Sequence, residues 1–185
     1  MFTAATLFAS LLATPALADD TTADTAESTF AVDLEIDPLA YVIGGASLHG
    51  GLHVDRVRFD LGVFSLKLPV WLHGNKGFSA QGHGFGFKVD YFAGPRKAGF
   101  HAGVQADITN QTVSHDASSE SHSYREFATG GRIGFRIQHT SGFYVNPWLG
   151  VIYRTNTPTE IDLGGETFAQ SAVMPFPTIH VGWRL

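Results

Sequence analysis

The sequence contains no cysteine, only four lysines and, beyond its first residues, no long apolar run. Without cysteine the chain can form neither disulfide bonds nor thiolate metal sites. No apolar stretch after position 18 reaches the roughly twenty residues that a transmembrane helix needs. The net charge of -5 argues against a nucleic-acid partner, and 185 residues suffice for one domain. Glycine, with 21 residues, and phenylalanine, with 15, are abundant instead.

The first 28 residues differ from the rest of the chain. Residues 1–18 predict a cleaved secretion signal, because an apolar segment over 2–13 precedes Ala16-Leu17-Ala18, which fits the small-x-small cleavage rule. The segment has no Lys or Arg before its apolar part, and a membrane anchor is the alternative, although the segment is short for one. Residues 19–28 are acidic, small and polar, which predicts a flexible linker. We expect the folded domain to span 29–185.

The folded domain alternates apolar and polar residues, which is the period of a strand with two different faces. In the first segment, Phe30, Val32 and Leu34 alternate with polar or small residues. The regular segments lie near 30–37, 57–63, 84–91, 100–108, 126–138, 143–154 and 178–185. A less regular segment near 45–53 brings the predicted number of strands to eight. An even number places both ends of the domain at the same end of a barrel.

Connection lengths alternate along the predicted strands. Short connections lie near 54–55, 94–98 and 139–142, and long ones near 66–82, 109–124 and 155–174. This alternation is typical of an all-β, up-and-down antiparallel barrel. In bacterial outer-membrane barrels the short turns face the periplasm and the long ones face outward. Residues 38–44 become the first outer connection. Within the last one, residues 160–168 predict a small hairpin that turns at Gly164-Gly165.

Alternation does not say which face points inward, and a soluble lipocalin-like barrel keeps its apolar face inside. Three observations favour a transmembrane barrel with the apolar face outside. The polar face carries arginine, aspartate, histidine and glycine, and Lys88 is the one lysine within a predicted strand. Aromatic residues also stand near strand ends, as in the aromatic girdles of membrane barrels. These predicted girdle residues are Trp71, Tyr91, Phe92, Tyr144, Tyr153 and Trp183.

The stretch "GGRIGFRIQ" shows what this orientation implies. Arg132 and Arg136 point into the lumen, whereas Ile133, Phe135 and Ile137 meet lipid. The inward positions predict a lumen ionic network of Arg58, Asp60, Lys88, Asp90, Asp107, Glu126, Arg132, Arg136, Arg154, His180 and Arg184. With Arg56, which also has inward parity, the positive charges outnumber the negative ones modestly, and Asp33 and Glu35, which share this parity, narrow the gap. Eight strands leave a lumen just wide enough for side chains, so we expect a plug and not a pore.

Histidine supplies the remaining candidate chemistry. His49, His53 and His101 have inward parity and are expected to join the lumen network as hydrogen-bond partners. His115, Asp116, His122 and Ser123 lie in the serine-rich predicted connection 109–124 and offer an esterase triad or a zinc or copper site as alternatives. A solvated loop gives such groups no fixed geometry. We therefore expect no catalytic residue, no metal and no cofactor.

The last ten residues, "FPTIHVGWRL", resemble the C-terminal signature of outer-membrane β-barrel proteins. Ile179, Val181 and Trp183 match its apolar positions, whereas Leu185 stands where that family usually has Phe or Trp. Over the mature chain the pattern resembles small eight-stranded outer-membrane barrels of the OmpX or OmpA type. The resemblance implies localisation in the outer membrane of a Gram-negative cell envelope, with membrane lipid and the barrel-assembly machinery as partners.

The function that these patterns favour is a structural or surface-interaction role without catalytic activity. Three alternatives remain at the level of the sequence: a lipid-modifying enzyme in the same fold, a narrow solute channel, and a soluble periplasmic binder. The pattern of residues identifies no ligand.

Overall fold

A computed structural model describes residues 30–94 and 98–185, so the predicted signal and linker lie outside the described residues. Eight antiparallel strands, each beside its neighbour in the chain, close into a barrel, and the predicted eight-stranded up-and-down barrel is confirmed. The barrel strands are β1 (Phe30–Ile36), β2 (Ala46–Val54), β3 (Val57–Leu68), β4 (Phe78–Phe92), β5 (Gly99–His115), β6 (Ser121–Gln138), β7 (Phe143–Thr155) and β10 (Val173–Arg184). The connections hold two short helices and a hairpin: α1 (Pro38–Val42), α2 (Val70–His73), β8 (Glu160–Leu163) and β9 (Glu166–Ala169). In the described residues, no helix has the length and apolar character to cross a membrane.

The strands are strongly tilted. Following the paired residues once around the barrel from Asp33 on β1 leads to Met174 on β10, whereas the partner of Asp33 on β10 is Arg184, ten residues further on. For eight strands this offset corresponds to a tilt of about 40° from the barrel axis. Such a barrel has a narrow interior that side chains fill.

One end of the barrel, the terminal end, holds the start of β1, the end of β10 and the short connections. The short connections that the sequence predicts are confirmed at 55–56, at 139–142 and between Phe92 and Gly99. The tightest joins β2 to β3 through Asp55-Arg56, where Asp55 adopts a left-handed φ of 51°. Aspartate tolerates this conformation better than most residues.

The opposite end, the loop end, differs from the prediction in two of its connections. The long connection near 155–174 is confirmed, with the expected hairpin turning at Gly164 (φ 61°) and Gly165 (φ 79°), the two positive φ angles of a type I′ turn. The predicted connections 66–82 and 109–124 were wrong. They shrink to residues 69–77 and 116–120, because β3, β4, β5 and β6 all extend further than expected.

The first outer connection, predicted at residues 38–44, contains the short helix α1. Pro38 occupies the first turn, and the side chain of Asp37 accepts a hydrogen bond from the backbone N–H of Leu39 (2.9 Å). Both features are typical of a helix N-terminus.

The outward face of the barrel is apolar only over its terminal half. We call this surface the apolar belt; it comprises exposed residues such as Phe59, Leu61, Phe87, Val104, Ile133, Leu149 and Val151. It ends at a row of outward polar residues that pair in register across β3 to β6, namely Ser65, His83, Asn110 and Arg125. The outward residues that follow towards the loop end are also polar: Ser79, Gln81, Thr112, Ser114, Ser121 and Ser123.

At the level of the polar row the inward face changes in the opposite way, from charged to apolar. Beyond the polar row it becomes apolar, and the hairpin β8–β9 folds over it. We call this buried cluster the cap: Phe78, Ala80, Val113, Ile161, Leu163 and Phe168. The rings of Phe78 and Phe168 meet edge to face at 5.6 Å. This reversal of polarity explains why the connections 66–82 and 109–124 were predicted too long. Serine and threonine on an outward strand face give the strand the composition of a loop.

Removing the largest hairpin side chain of the cap should release the hairpin. Phe168→Ala deletes a ring that is almost fully buried, which costs about 3 kcal/mol locally and should raise the open population roughly a hundredfold. We expect limited proteolysis to cleave the connection 156–172 much faster in this variant. Thr159→Ala, at an exposed position of the same connection, should leave the rate unchanged. Equal cleavage of both variants would contradict the role of the cap.

Candidate functional site: the charged lumen

The terminal half of the lumen holds a group of buried charged side chains that we call the ionic core. They point inward because every second residue of each strand does so. The members are Asp33 and Glu35 on β1, Arg58 and Asp60 on β3, Lys88 and Asp90 on β4, and Arg132 and Arg136 on β6. Four acids therefore face four bases. The excess of positive charge that the sequence suggests is absent from this core, since Arg56 is exposed on a turn and Arg184 is half-buried near the end of β10.

Arg58 lies at the centre of the ionic core. Its Nη2 atom is 2.7 Å from a carboxylate oxygen of Asp33, 3.2 Å from Glu35 and 2.8 Å from Asp60. Its side chain and those of all three acids are fully buried. A guanidinium group suits this position because its planar fork of N–H donors serves several acceptors at once and remains charged when buried.

Lys88 joins two strands of the core. Its ammonium group donates to Asp60 (2.8 Å) and lies 2.8 Å from Nδ1 of His49. His49, Asp60 and Glu35 are the one set of described acids and histidines whose atoms, all within 4.8 Å of one another, could share a metal ion. The ammonium group of Lys88 already supplies positive charge there, so the arrangement is complete without a metal.

Arg136 connects the charges to buried aromatic rings. Its guanidinium donates to Asp33 (3.0 Å) and lies 3.9 Å from the ring centre of Tyr144 and 5.2 Å from that of Phe92. The Tyr144 hydroxyl donates to Glu35 (2.9 Å). Phe92 and Tyr144 were predicted as outward girdle residues, and that prediction was wrong. Both residues have the inward parity of their strands. The prediction relied on their positions near strand ends and not on this parity.

Arg132 pairs with Asp90 through both of its side-chain nitrogens on one edge, with Nε 2.7 Å from Oδ1. Its guanidinium also lies 4.8 Å from the ring centre of Trp148. Two parallel hydrogen bonds and a stacked ring fix this arginine more firmly than a single contact does. Trp148 was missing from the predicted network, although its parity, shared with Asn146 and Arg154, places it inside.

The structure buries nine of the eleven predicted network residues: Arg58, Asp60, Lys88, Asp90, Glu126, Arg132, Arg136, Arg154 and His180. Asp107 is half-buried and accepts a hydrogen bond from Gln105 (2.9 Å) in place of an arginine. Glu126 and Arg154 lie apart from the core as a pair 3.5 Å apart. Arg184 is the other half-buried member.

The inward histidines fill positions between the ionic core and its neighbours. His53 lies 2.8 Å from Asp33, and Nδ1 of His180 lies 2.7 Å from Glu35. Nε2 of His101 is 2.8 Å from the side-chain oxygen of Asn146. Asp33 and Glu35 were outside the predicted set, although their alternation with Val32 and Leu34 placed them on the inward face.

The residues considered for an esterase or metal site do not converge. Asp116 accepts a hydrogen bond from Ser79 (2.7 Å), the Ser123 hydroxyl is 2.9 Å from that of Thr112, and the ring of His115 packs on Phe78 at 5.2 Å. His122 is exposed on β6 beside Tyr124. They therefore form no triad.

Near the cap, burial lowers the pKa of His73, whose ring packs against Phe168 at 5.3 Å.

Hydroxyl groups near the core histidines are also engaged. Ser47 and Thr178 lie two residues from His49 and His180 on the same inward faces. The Ser47 hydroxyl accepts from the backbone N–H of Asp37 (2.6 Å), and Thr178 donates to its carboxylate (2.7 Å). Both hydroxyls therefore hold the residue that caps α1.

The fold and its lumen define a class of protein: an eight-stranded antiparallel barrel with an ionic interior and an apolar exterior over its terminal half. No protein-family model matches the chain. No curated protein sequence matches it either.

Among solved structures, Neisserial surface protein A is similar at 13% identity over 85% of this chain and 97% of that one, with a TM-score of 0.49. The N-terminal β-barrel domain of Pseudomonas aeruginosa OprF is similar at 11% identity over 84% and 96% of the two chains, with a TM-score of 0.47. A major outer membrane protein from Thermus thermophilus is similar at 12% identity over 84% and 98%, also with a TM-score of 0.47.

The position of Arg58 predicts a large loss of stability when it is removed. Arg58→Ala leaves three buried carboxylates without their shared cation, which should cost about 3–5 kcal/mol of unfolding free energy. We expect a corresponding fall in the urea midpoint, followed by tryptophan fluorescence in vesicles. Arg56→Ala, two residues earlier at an exposed turn position, should change the midpoint little. Similar midpoints for the two variants would show that the ionic core is not what holds the barrel.

Proposed function

We propose that the protein is an integral outer-membrane β-barrel with a structural or surface-interaction role, and that it neither transports solutes nor catalyses a reaction. One observation carries this proposal. Arg58 and Arg136 are among the largest fully buried side chains of the described residues, while leucine, isoleucine, valine and phenylalanine cover the outside of the same strands. This is the inverse of a soluble protein.

The apolar belt supports placement in a lipid bilayer. Contiguous exposed apolar surface of this kind is rare on soluble monomers and marks contact with a membrane or a partner. A closed barrel leaves no unpaired strand in hydrocarbon over the belt, which is the requirement for β-structure in a bilayer. The soluble lipocalin-like alternative requires the opposite polarity, with apolar residues lining the interior.

The C-terminal strand supports the outer membrane as the location. Ile179, Val181 and Trp183 face outward on β10, at the terminal end of the barrel. We infer that this strand is read by the barrel-assembly machinery after secretion through a cleaved signal peptide. The terminal end then faces the periplasm and the loop end faces outward.

The loop end supports a role at the cell surface. From Asn110 to His115 on β5, and correspondingly on β4 and β6, the barrel continues past the apolar belt. At about 3.3 Å per residue this extension is on the order of 20 Å long. It presents polar side chains outward on a rigid sheet, which suits contact with another molecule in water.

The proposed bilayer contact predicts unequal effects of two arginine substitutions on one face of β6. Ile133 is 52% exposed in the belt, and Ile133→Arg should destabilise the barrel in vesicles by about 2–4 kcal/mol. Ser121 lies on the same outward face beyond the polar row, and Ser121→Arg should change the unfolding free energy by less than about 0.5 kcal/mol. Urea unfolding in vesicles measures both values. If Ile133→Arg left the unfolding free energy unchanged, the assignment of the apolar belt to a membrane would be wrong.

The ionic core predicts that the barrel does not conduct. Four acids and four bases pair across the lumen, so an ion would have to break buried salt bridges to pass. We expect no resolvable single-channel steps when the purified protein is inserted into planar bilayers. Insertion can be verified in the same preparation by co-flotation with vesicles. Regular conductance steps would show that the function is that of a channel.

A further inference from the structure

The barrel wall has a gap at its loop end because two neighbouring strands are short. β1 ends at Ile36, paired with Val181, and β2 begins at Ala46, paired with Ser65. Beyond these pairs, residues 173–180 of β10 have a ladder partner only on β7, and residues 66–68 of β3 have one only on β4. We call this gap between β3 and β10 the notch. Helix α1 lies at its base and contacts both strands.

Behind the notch lies a cavity of about 100 Å³ between the ionic core and the cap. Lys88, His49 and His180 form its polar floor, and other polar side chains also line it, among them Asp37, Asp107, Glu126 and Arg154. Apolar atoms nevertheless make up most of the lining surface. Its apolar walls come mainly from the two edges of the notch and the strands opposite, with Leu66, Ala128, Trp148, Ile152, Met174 and Phe176. The inward side chains on both notch edges, such as Leu66 and Phe176, are only half-buried. The cavity therefore borders the notch.

The outer rim of the notch is continuous with the apolar belt. Leu149, Val151 and Val173 are exposed on the outward faces of β7 and β10 beside it. On α1, Val42 is 81% exposed. Lys67 faces outward at the β3 edge, where its side chain borders Gly44 just after the helix. An amphiphile at the notch would meet apolar surface below and a cation at the level where the belt ends.

We propose that the cavity binds the terminal methylenes of one hydrocarbon chain of an anionic membrane lipid, which enters through the notch and leaves its headgroup beside Lys67. This inference rests on the proposed membrane location. Water against the apolar walls is unfavourable, and a void forfeits dispersion contacts. A chain from the adjoining bilayer avoids both costs. Its end would contact the apolar walls, as hydrophobic ligands do in apolar protein cavities.

Trp148 on the cavity wall provides the test. A protein with Trp71→Phe and Trp183→Phe retains this tryptophan alone and is reconstituted into phosphatidylglycerol vesicles with brominated or unbrominated chains. Bromine quenches tryptophan at short range, so an inserted brominated chain should remove most of the Trp148 emission. Co-flotation with the vesicles tests membrane insertion separately, which distinguishes failure of the proposed location from failure of the cavity proposal.

A matched pair of substitutions separates the cavity from the outer wall. Ala128→Phe fills the cavity from the inside, and we expect it to restore the Trp148 emission. Thr129→Phe, the next residue and outward-facing, should leave the quenching intact. If Ala128→Phe does not fold, Ile152→Phe fills the cavity from β7. Emission that bromination leaves unchanged, or quenching that the filling variant leaves unchanged, would overturn the proposal.

Discussion

The rest of the structure depends on the need of buried charges for partners. Arg58 satisfies Asp33, Glu35 and Asp60 at once, and those acids come from two different strands. An unpaired charge in this interior would cost several kcal/mol, so the ion pairs form only when the strands are in register and the barrel is closed. Closure in turn places the arginines where no water competes for the carboxylates. The ionic core and the closed ladder are therefore one cooperative unit.

Outward and inward parity continue without a break along each long strand, and only the chemistry of the two faces changes. On β6, Arg132 points inward and Ile133 outward in the belt, whereas Tyr124 points inward and Ser123 outward near the loop end. A one-residue slip would exchange both pairs and expose charge to the apolar side. The register is therefore fixed in two places. In the belt the charged side chains must face inward, and near the loop end the apolar side chains must do so.

Much of this arrangement could be predicted from the sequence because alternation is a local property. It identified eight strands, the inward face and most of the ionic core, including Arg58 and Arg136. The extensions of β5 and β6 were missed because loop prediction rests on composition, and outward serines in a strand have the composition of a loop. Phe92 was assigned to the outward girdle because its aromatic ring and its place near a strand end were given more weight than its inward parity. Trp148, which also has inward parity, was left out of the predicted network. The cavity and the docking of Phe168 depend on contacts between distant segments, which no local pattern contains.

The position of the notch follows from the same backbone requirements. An unpaired strand edge in hydrocarbon is costly, because its N–H and C=O groups find no partners there. On β10, Pro175 and Pro177 lie along the edge of the notch and lack N–H groups, which reduces the number of unpaired donors. The remaining polar groups of this edge need water, α1 or a lipid headgroup. The notch therefore belongs where the apolar belt gives way to water, and Lys67 lies beside it at that level.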